Sequence, residues 1–122
     1  MRFLVSCNRG SDEIRDVAFE YCLATSEYRF DDANSFCTDE TKNTTLLVAK
    51  NIVALLDTAY YEKDAPVKIE IISVVSTSDT SAYAVYHKKT PIKDYTDTLE
   101  MRKRDDRWLA HAPIIKNNVA AQ

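Results

Sequence analysis

Three cysteines, two histidines, seven tyrosines and one tryptophan hold most of the chemistry open to this chain. His87 and His111 stand alone on stretches that read as strands. Neither belongs to a His-x-x-x-His or comparable ligand spacing, so no metal site is expected. Gly10 is the only glycine, which leaves no Gly-rich loop to cradle a phosphate, and no Ser/His/Asp order stands out. No cofactor and no catalytic residue is expected. Cys22 and Cys37 fall on the apolar faces of two successive helical stretches, where cysteine is commonly a buried free thiol. An oxidising compartment would allow the two to pair instead, and the sequence leaves both states open. The tyrosines read first as core residues with their hydroxyls at the rim, the usual place of amphipathic aromatics.

The elements that must position these groups divide the chain at Pro66. Beyond it come four runs with strand character, Val67–Val75, Ser81–Lys88, Tyr95–Arg104 and Arg107–Ala112. The first alternates Val67, Ile69 and Ile71 against Lys68 and Glu70, then slips by one residue, which predicts a bulge near Ile71–Ile72. The second is apolar on both faces and therefore reads as central. Arg104-Asp105-Asp106-Arg107 has hairpin length, and Asp tolerates the left-handed backbone such turns require. Hairpin-length connections predict an antiparallel sheet.

Before Pro66 the periodicity is helical. Ser11 can cap a helix over residues 12–26, with Ile14, Val17, Ala18, Tyr21 and Cys22 on one stripe. A shorter helix is expected over residues 30–37. A third, capped at Thr38 or Asp39, runs from Thr45 to Tyr60, with an apolar set broad enough to predict that it lies deep against the sheet. The fold class is α+β, with N-terminal helices packed on a four-stranded antiparallel sheet. One globular domain of residues 11–113 is expected, with residues 114–122 as a fraying tail.

Composition narrows the partners. The 122 residues are 45% apolar with a net charge of −3. An acidic balance argues against nucleic acid, since phosphate contacts need a basic patch. Arg102, Lys103, Arg104 and Arg107 are offset by Glu100, Asp105 and Asp106 and read as a solvated hairpin tip. No stretch approaches the roughly 20 apolar residues of a spanning helix.

Three helices, a four-stranded meander, a charged hairpin and a tryptophan strand resemble the cystatin-like fold of the nuclear transport factor two superfamily. The local pattern is similar to a family of small bacterial envelope lipoproteins of unknown function. The residues that carry it are Phe30-Asp31-Asp32-Ala33, Cys37-Thr38-Asp39-Glu40 and Lys103-Arg104-Asp105-Asp106-Arg107-Trp108, with Asp106 where the family has Gly. The resemblance implies a cone between helices and sheet, in which the superfamily's enzymes place an Asp, His or Tyr. Candidates of that kind are Tyr21, Tyr28, Tyr60, Tyr83, Tyr86, His87, Asp97 and His111. For ligand contact we single out Tyr21, Tyr60, Tyr86, His87 and Trp108.

The lipoprotein resemblance also gives meaning to Cys7. Leu4-Val5-Ser6-Cys7 is similar to a lipobox, the motif whose Cys is lipidated after signal cleavage. Residues 1–10 are then expected to be a signal remnant and extended tether, and the domain to sit in the cell envelope, lipid-anchored or periplasmic. With only Met1, Arg2 and Phe3 ahead of the motif, the chain as written would stay cytoplasmic. The expected function is a non-catalytic envelope domain binding a small apolar ligand or a protein partner in the cone, with a homodimer through the sheet as a further expectation. The alternatives are a small isomerase or dehydratase, and a cytosolic immunity-type protein that blocks a toxin.

Overall fold

The sheet forms as the alternation dictates. A computed structural model describes residues 2–114, with side chains from residue 10 onward. Strands β1 (Lys68–Ser76), β2 (Ser81–Lys89), β3 (Asp94–Arg104) and β4 (Arg107–Ala110) pair antiparallel in the order β1-β2-β3-β4. Ile71 pairs with Tyr86 and Ser73 with Val85, so Ile72 is the extra residue of the expected bulge. That bulge keeps Ile69, Ile71 and Val74 on the inner face, and the Arg15 guanidinium donates to the freed Ile71 carbonyl at 3.1 Å. Ala82, Ala84, Leu99, Met101, Trp108 and Ala110 complete the buried inner surface. Alanines at the centre of β2 let a helix approach closely.

That helix is α1 (Arg2–Ser26), which lays Ile14, Ala18, Tyr21 and Cys22 across β1 and β4. It begins before the cap expected at Ser11, so the stretch read as an extended tether is helical. No residue from Arg2 to Ser11 is proline, and Gly10 in a helix interior costs only about 1 kcal/mol relative to Ala. The Cys7 side chain lies outside the described ones. α1 ends in a Schellman motif: the Arg29 N–H donates to the Ala24 carbonyl and the Tyr28 N–H to that of Thr25. Tyr28 sits at the left-handed position, φ 63°, where glycine is usual.

α2 (Phe30–Ala33) continues as a 3-10 turn over Asn34–Phe36 and tucks Phe30 and Ala33 into the core. The chain then docks on the outer edge of β4. Cys37 bridges Ala110 in parallel, and the Thr38 N–H donates to the Ala110 carbonyl at 2.9 Å. This covers a strand edge that would otherwise be open to pairing.

The third helix departs from expectation. Thr38 caps α3 (Asp39–Thr41), a π turn covers Lys42–Leu46, and α4 spans only Leu47–Val53. Asp57 then caps a separate α5 (Thr58–Lys63), accepting from the Ala59 N–H at 3.3 Å. Leu46 is buried, but Leu47, Val48, Ile52, Leu55 and Leu56 are exposed, Leu55 at 86%. The wider π turn rotates the stripe that follows it, and the new cap at Asp57 ends the run before it can cross the sheet. Only Ala49 and Val53 of α4 pack on the core.

Asp105 and Asp106 both have positive φ, 52° and 65°, as a type I′ hairpin turn requires. Aspartate bears this conformation less easily than glycine does. Asp106→Gly is therefore expected to stabilise the protein by roughly 0.5–1 kcal/mol, visible as a higher denaturant midpoint at constant slope. A lower midpoint would mean that the Asp106 side chain contributes more than its backbone strain costs.

Candidate functional site

The inner stripe of α1, the C-terminal half of β2 and the start of β3 diverge around an open cavity of about 370 Å³. Each element contributes by its own periodicity. α1 supplies Tyr21, Cys22 and Thr25 at helical spacing, β2 supplies Tyr86 and Lys88 at alternate positions, and β3 supplies Tyr95 and Leu99. Tyr28 and Phe30 form one end, and Ala49, Ile52 and Val53 of α4 close the side away from the sheet. The wall is mostly apolar, with a few polar groups converging on it, which is the common make-up of a small-molecule site.

The polar groups of this wall are donors. Burial pushes the Tyr21 and Tyr86 phenols well above their ordinary range and the Cys22 thiol up to about 12, so all three hold their protons at neutral pH. A protonated Cys22 is a poor nucleophile. No carboxylate or imidazole is among the lining residues. Lys88 supplies the cation. It is 8% exposed, pairs in register with Ile69 and Tyr95, and places Nζ 6.0 Å from the Tyr95 ring centre. Burial and then the nearby Lys93 lower its pKa, with Asp64 and Cys22 pulling the other way.

Behind Tyr28 lies a second polar cluster, centred on a carboxylate that is 1% exposed. Asp64 accepts from the Tyr28 hydroxyl, from Thr90 Oγ1 at 2.6 Å and from Lys93 Nζ at 2.9 Å. The Thr90 hydroxyl in turn accepts from the Lys93 N–H at 3.0 Å and, more weakly, from that of Ile92. This puts a carboxylate in hydrogen-bond contact with two titratable groups, Tyr28 and Lys93, outside the cavity lining. The cluster is nonetheless ill suited to move protons. Asp64 is saturated by three donors and does not line the cavity, while burial and then the Asp64 hydrogen bond raise the Tyr28 pKa. Its evident work is structural, since it holds strained Tyr28 at the end of α1 against α5 and the β2–β3 turn.

The residues singled out from sequence divide accordingly. Tyr21 and Tyr86 line the cavity, as does Tyr28. Tyr60 lies one layer back, its ring edge-on to Tyr28 at 6.4 Å and 5.7 Å from Lys93 Nζ. His87 and Tyr83 alternate with the inner residues of β2 and so face outward; His87 Nε2 meets Asp94 Oδ1 at 2.6 Å. Trp108 is buried under α1, at the β4 end of the sheet rather than at the cavity. Asp97 is exposed, and His111 bonds Thr38 Oγ1 at 2.9 Å beside β4. Cys22 and Cys37 are buried free thiols, so the pairing that an oxidising compartment would allow is absent. Sequence reasoning passed over Lys88 and Tyr95. The signal for Lys88 was present: it continues the inner series Ala82, Ala84, Tyr86, where a lysine is out of place. Among the described residues no group of three or more His, Cys, Asp or Glu could hold a metal ion.

A neighbouring groove of about 380 Å³ shares Tyr28, Phe30 and Val53 with the cavity. Its charged lining is already committed, Lys50 to Asp31 and Arg29 to Asp32.

No protein-family model matches the sequence, and no curated protein matches it. The structure is similar to the crystal structure of an NTF-2-like protein of unknown function from Shewanella oneidensis MR-1. The TM-score is 0.58 at 20% identity, over 84% of this chain and 98% of the other. At that identity the likeness shows the fold, an NTF-2-like α+β cone, and not a function.

Proposed function

We propose that this NTF-2-like domain is a non-catalytic binder that holds a small, largely apolar molecule between α1, α4 and the sheet. The observation that carries the reading is the cavity: about 370 Å³, walled by Phe30, Ile52, Val53 and Leu99, with hydroxyl and amine donors but no carboxylate or imidazole in its lining. A volume of that order suits a small ring system. The lining offers no carboxylate or imidazole for general acid–base chemistry on such a guest, which sets the enzyme reading behind the binding one.

Naphthylmethanol, a neutral fluorescent ring compound, serves as the probe. It is expected to bind the wild-type protein saturably. Ala49→Phe, which extends a ring from α4 into the cavity, is expected to weaken binding about tenfold or more. Binding that is absent in the wild type, or untouched by Ala49→Phe, would overturn the cavity as the site.

A further inference from the structure

Lys88 carries a cation that no side chain of the described structure pairs. It is more than nine-tenths buried, it lines the cavity, and among the described residues it has no hydrogen-bond or ion-pair partner. Asp64, the other charged group buried to that degree, presents the contrast, with three donors closed around it. The Lys88 Nζ reaches the open cavity, since among the described residues no side-chain nitrogen or oxygen is both buried and without a partner. A nearby carboxylate could have served, but Asp64 is engaged by Lys93, Thr90 and Tyr28. Of the sheet's exposed carboxylates, Asp94 meets His87 and Lys89 on the outer face, while Asp97 lies opposite Tyr86 on the inner face and makes no ion pair with Lys88.

We infer that the cavity takes a small organic acid, whose single carboxylate pairs with Lys88 and whose apolar body lies against Phe30, Ile52, Val53 and Leu99. The class follows from three observations. The cavity lining holds one cation, so one negative charge is matched and two are not. Lys93, the cation next to it, already has Asp64 as its counterion and adds no free charge. The rest of the wall is apolar or aromatic, which a strongly hydrated polyanion such as a phosphate ester would leave unsatisfied. A charge-assisted hydrogen bond made in the cavity is also among the stronger contacts a protein can offer a ligand. The inference rests on the cavity reading above and adds the identity of the head group.

The test compares naphthoate with naphthylmethanol, which share a ring and differ in charge, by fluorescence titration of the wild type, Lys88→Met and Lys68→Met. Methionine keeps most of the Lys88 stem without the charge, while Lys68 is an exposed cation beside Ile69, the register partner of Lys88, on the opposite face of the sheet. Naphthoate is expected to bind the wild type roughly 10- to 100-fold more tightly than the alcohol, the scale of a charge-assisted hydrogen bond. Lys88→Met is expected to abolish that preference by weakening naphthoate binding, and Lys68→Met to leave the preference intact. Equal binding of the two probes by the wild type overturns the carboxylate assignment with no variant needed, as does a preference that survives Lys88→Met or falls equally in Lys68→Met. Those outcomes leave the cavity reading standing. If neither probe binds, both fail.

Discussion

Replacing Asp64 with Ala is expected to lower the stability of the folded state by about 3–5 kcal/mol, the usual cost of breaking a buried ion pair from one side. Three groups lose their acceptor at once: the Lys93 ammonium, the Thr90 hydroxyl and the Tyr28 hydroxyl. Tyr28 matters most, because its left-handed backbone costs roughly 1–2 kcal/mol and persists only while its surroundings hold it. The same carboxylate gives the protein an acid limb. Burial pushes its pKa up, but the hydrogen bonds from Thr90, Tyr28 and Lys93 outweigh it and bring the value from 3.8 down to about 2. A depressed folded-state pKa contributes stability that is fully present above the unfolded value. The contribution is lost as pH falls from about 4 towards about 2, and amounts to about 2 kcal/mol. Denaturant melts of wild type and Asp64→Ala across that window should converge as the pH falls. A loss under about 1 kcal/mol near neutral pH, or curves that stay parallel, would show that the cluster exchanges its bonds for water without penalty.

Trp108→Ala is expected to cost about 3–5 kcal/mol, the range for truncating a large aromatic in a packed core. The indole is 6% exposed on the inner face of β4, opposite Lys103, and its backbone N–H donates to Glu13 of α1 at 3.1 Å. The substitution empties the space that joins helix to sheet at the end remote from the cavity. Because it is the only tryptophan, wild-type unfolding can be followed by its emission, and the variant by circular dichroism. A change under about 1 kcal/mol would place the ring in solvent and reverse the register of β4.

The sheet was legible because strand chemistry is local. Alternation located the bulge at Ile71–Ile72, the two-sided run Ser81–Lys88 marked the central strand, and Asp105-Asp106 announced a tight hairpin without a glycine. The site was less so, because its parts come from distant stretches. Asp64 reads as a helix terminator, since its partners lie 36, 26 and 29 residues away and nothing in its neighbours points to them. The long apolar run from Leu46 to Tyr60 reads as one core helix, because periodicity does not register a π turn or the competing cap at Asp57. His87 and Tyr86 are adjacent letters with opposite destinations. Only the parity of the inner series, carried through the strand, separates the residue that lines the cavity from the one that faces water.

The bare outer side of α4 has a kinetic meaning. Ala49, Ile52 and Val53 make one wall of the cavity, yet they belong to a seven-residue helix that carries exposed Leu47 and Val48 and is followed by Leu55, 86% exposed. Few buried contacts mean a low free energy of local opening, well below that of unfolding the sheet. Under the binding role proposed above, a guest held against β2 would leave as this short segment swings out, while α1 and the strands keep their packing. Residence time is then set by the weakest-held wall, and the strength of the remaining fold has little influence on it.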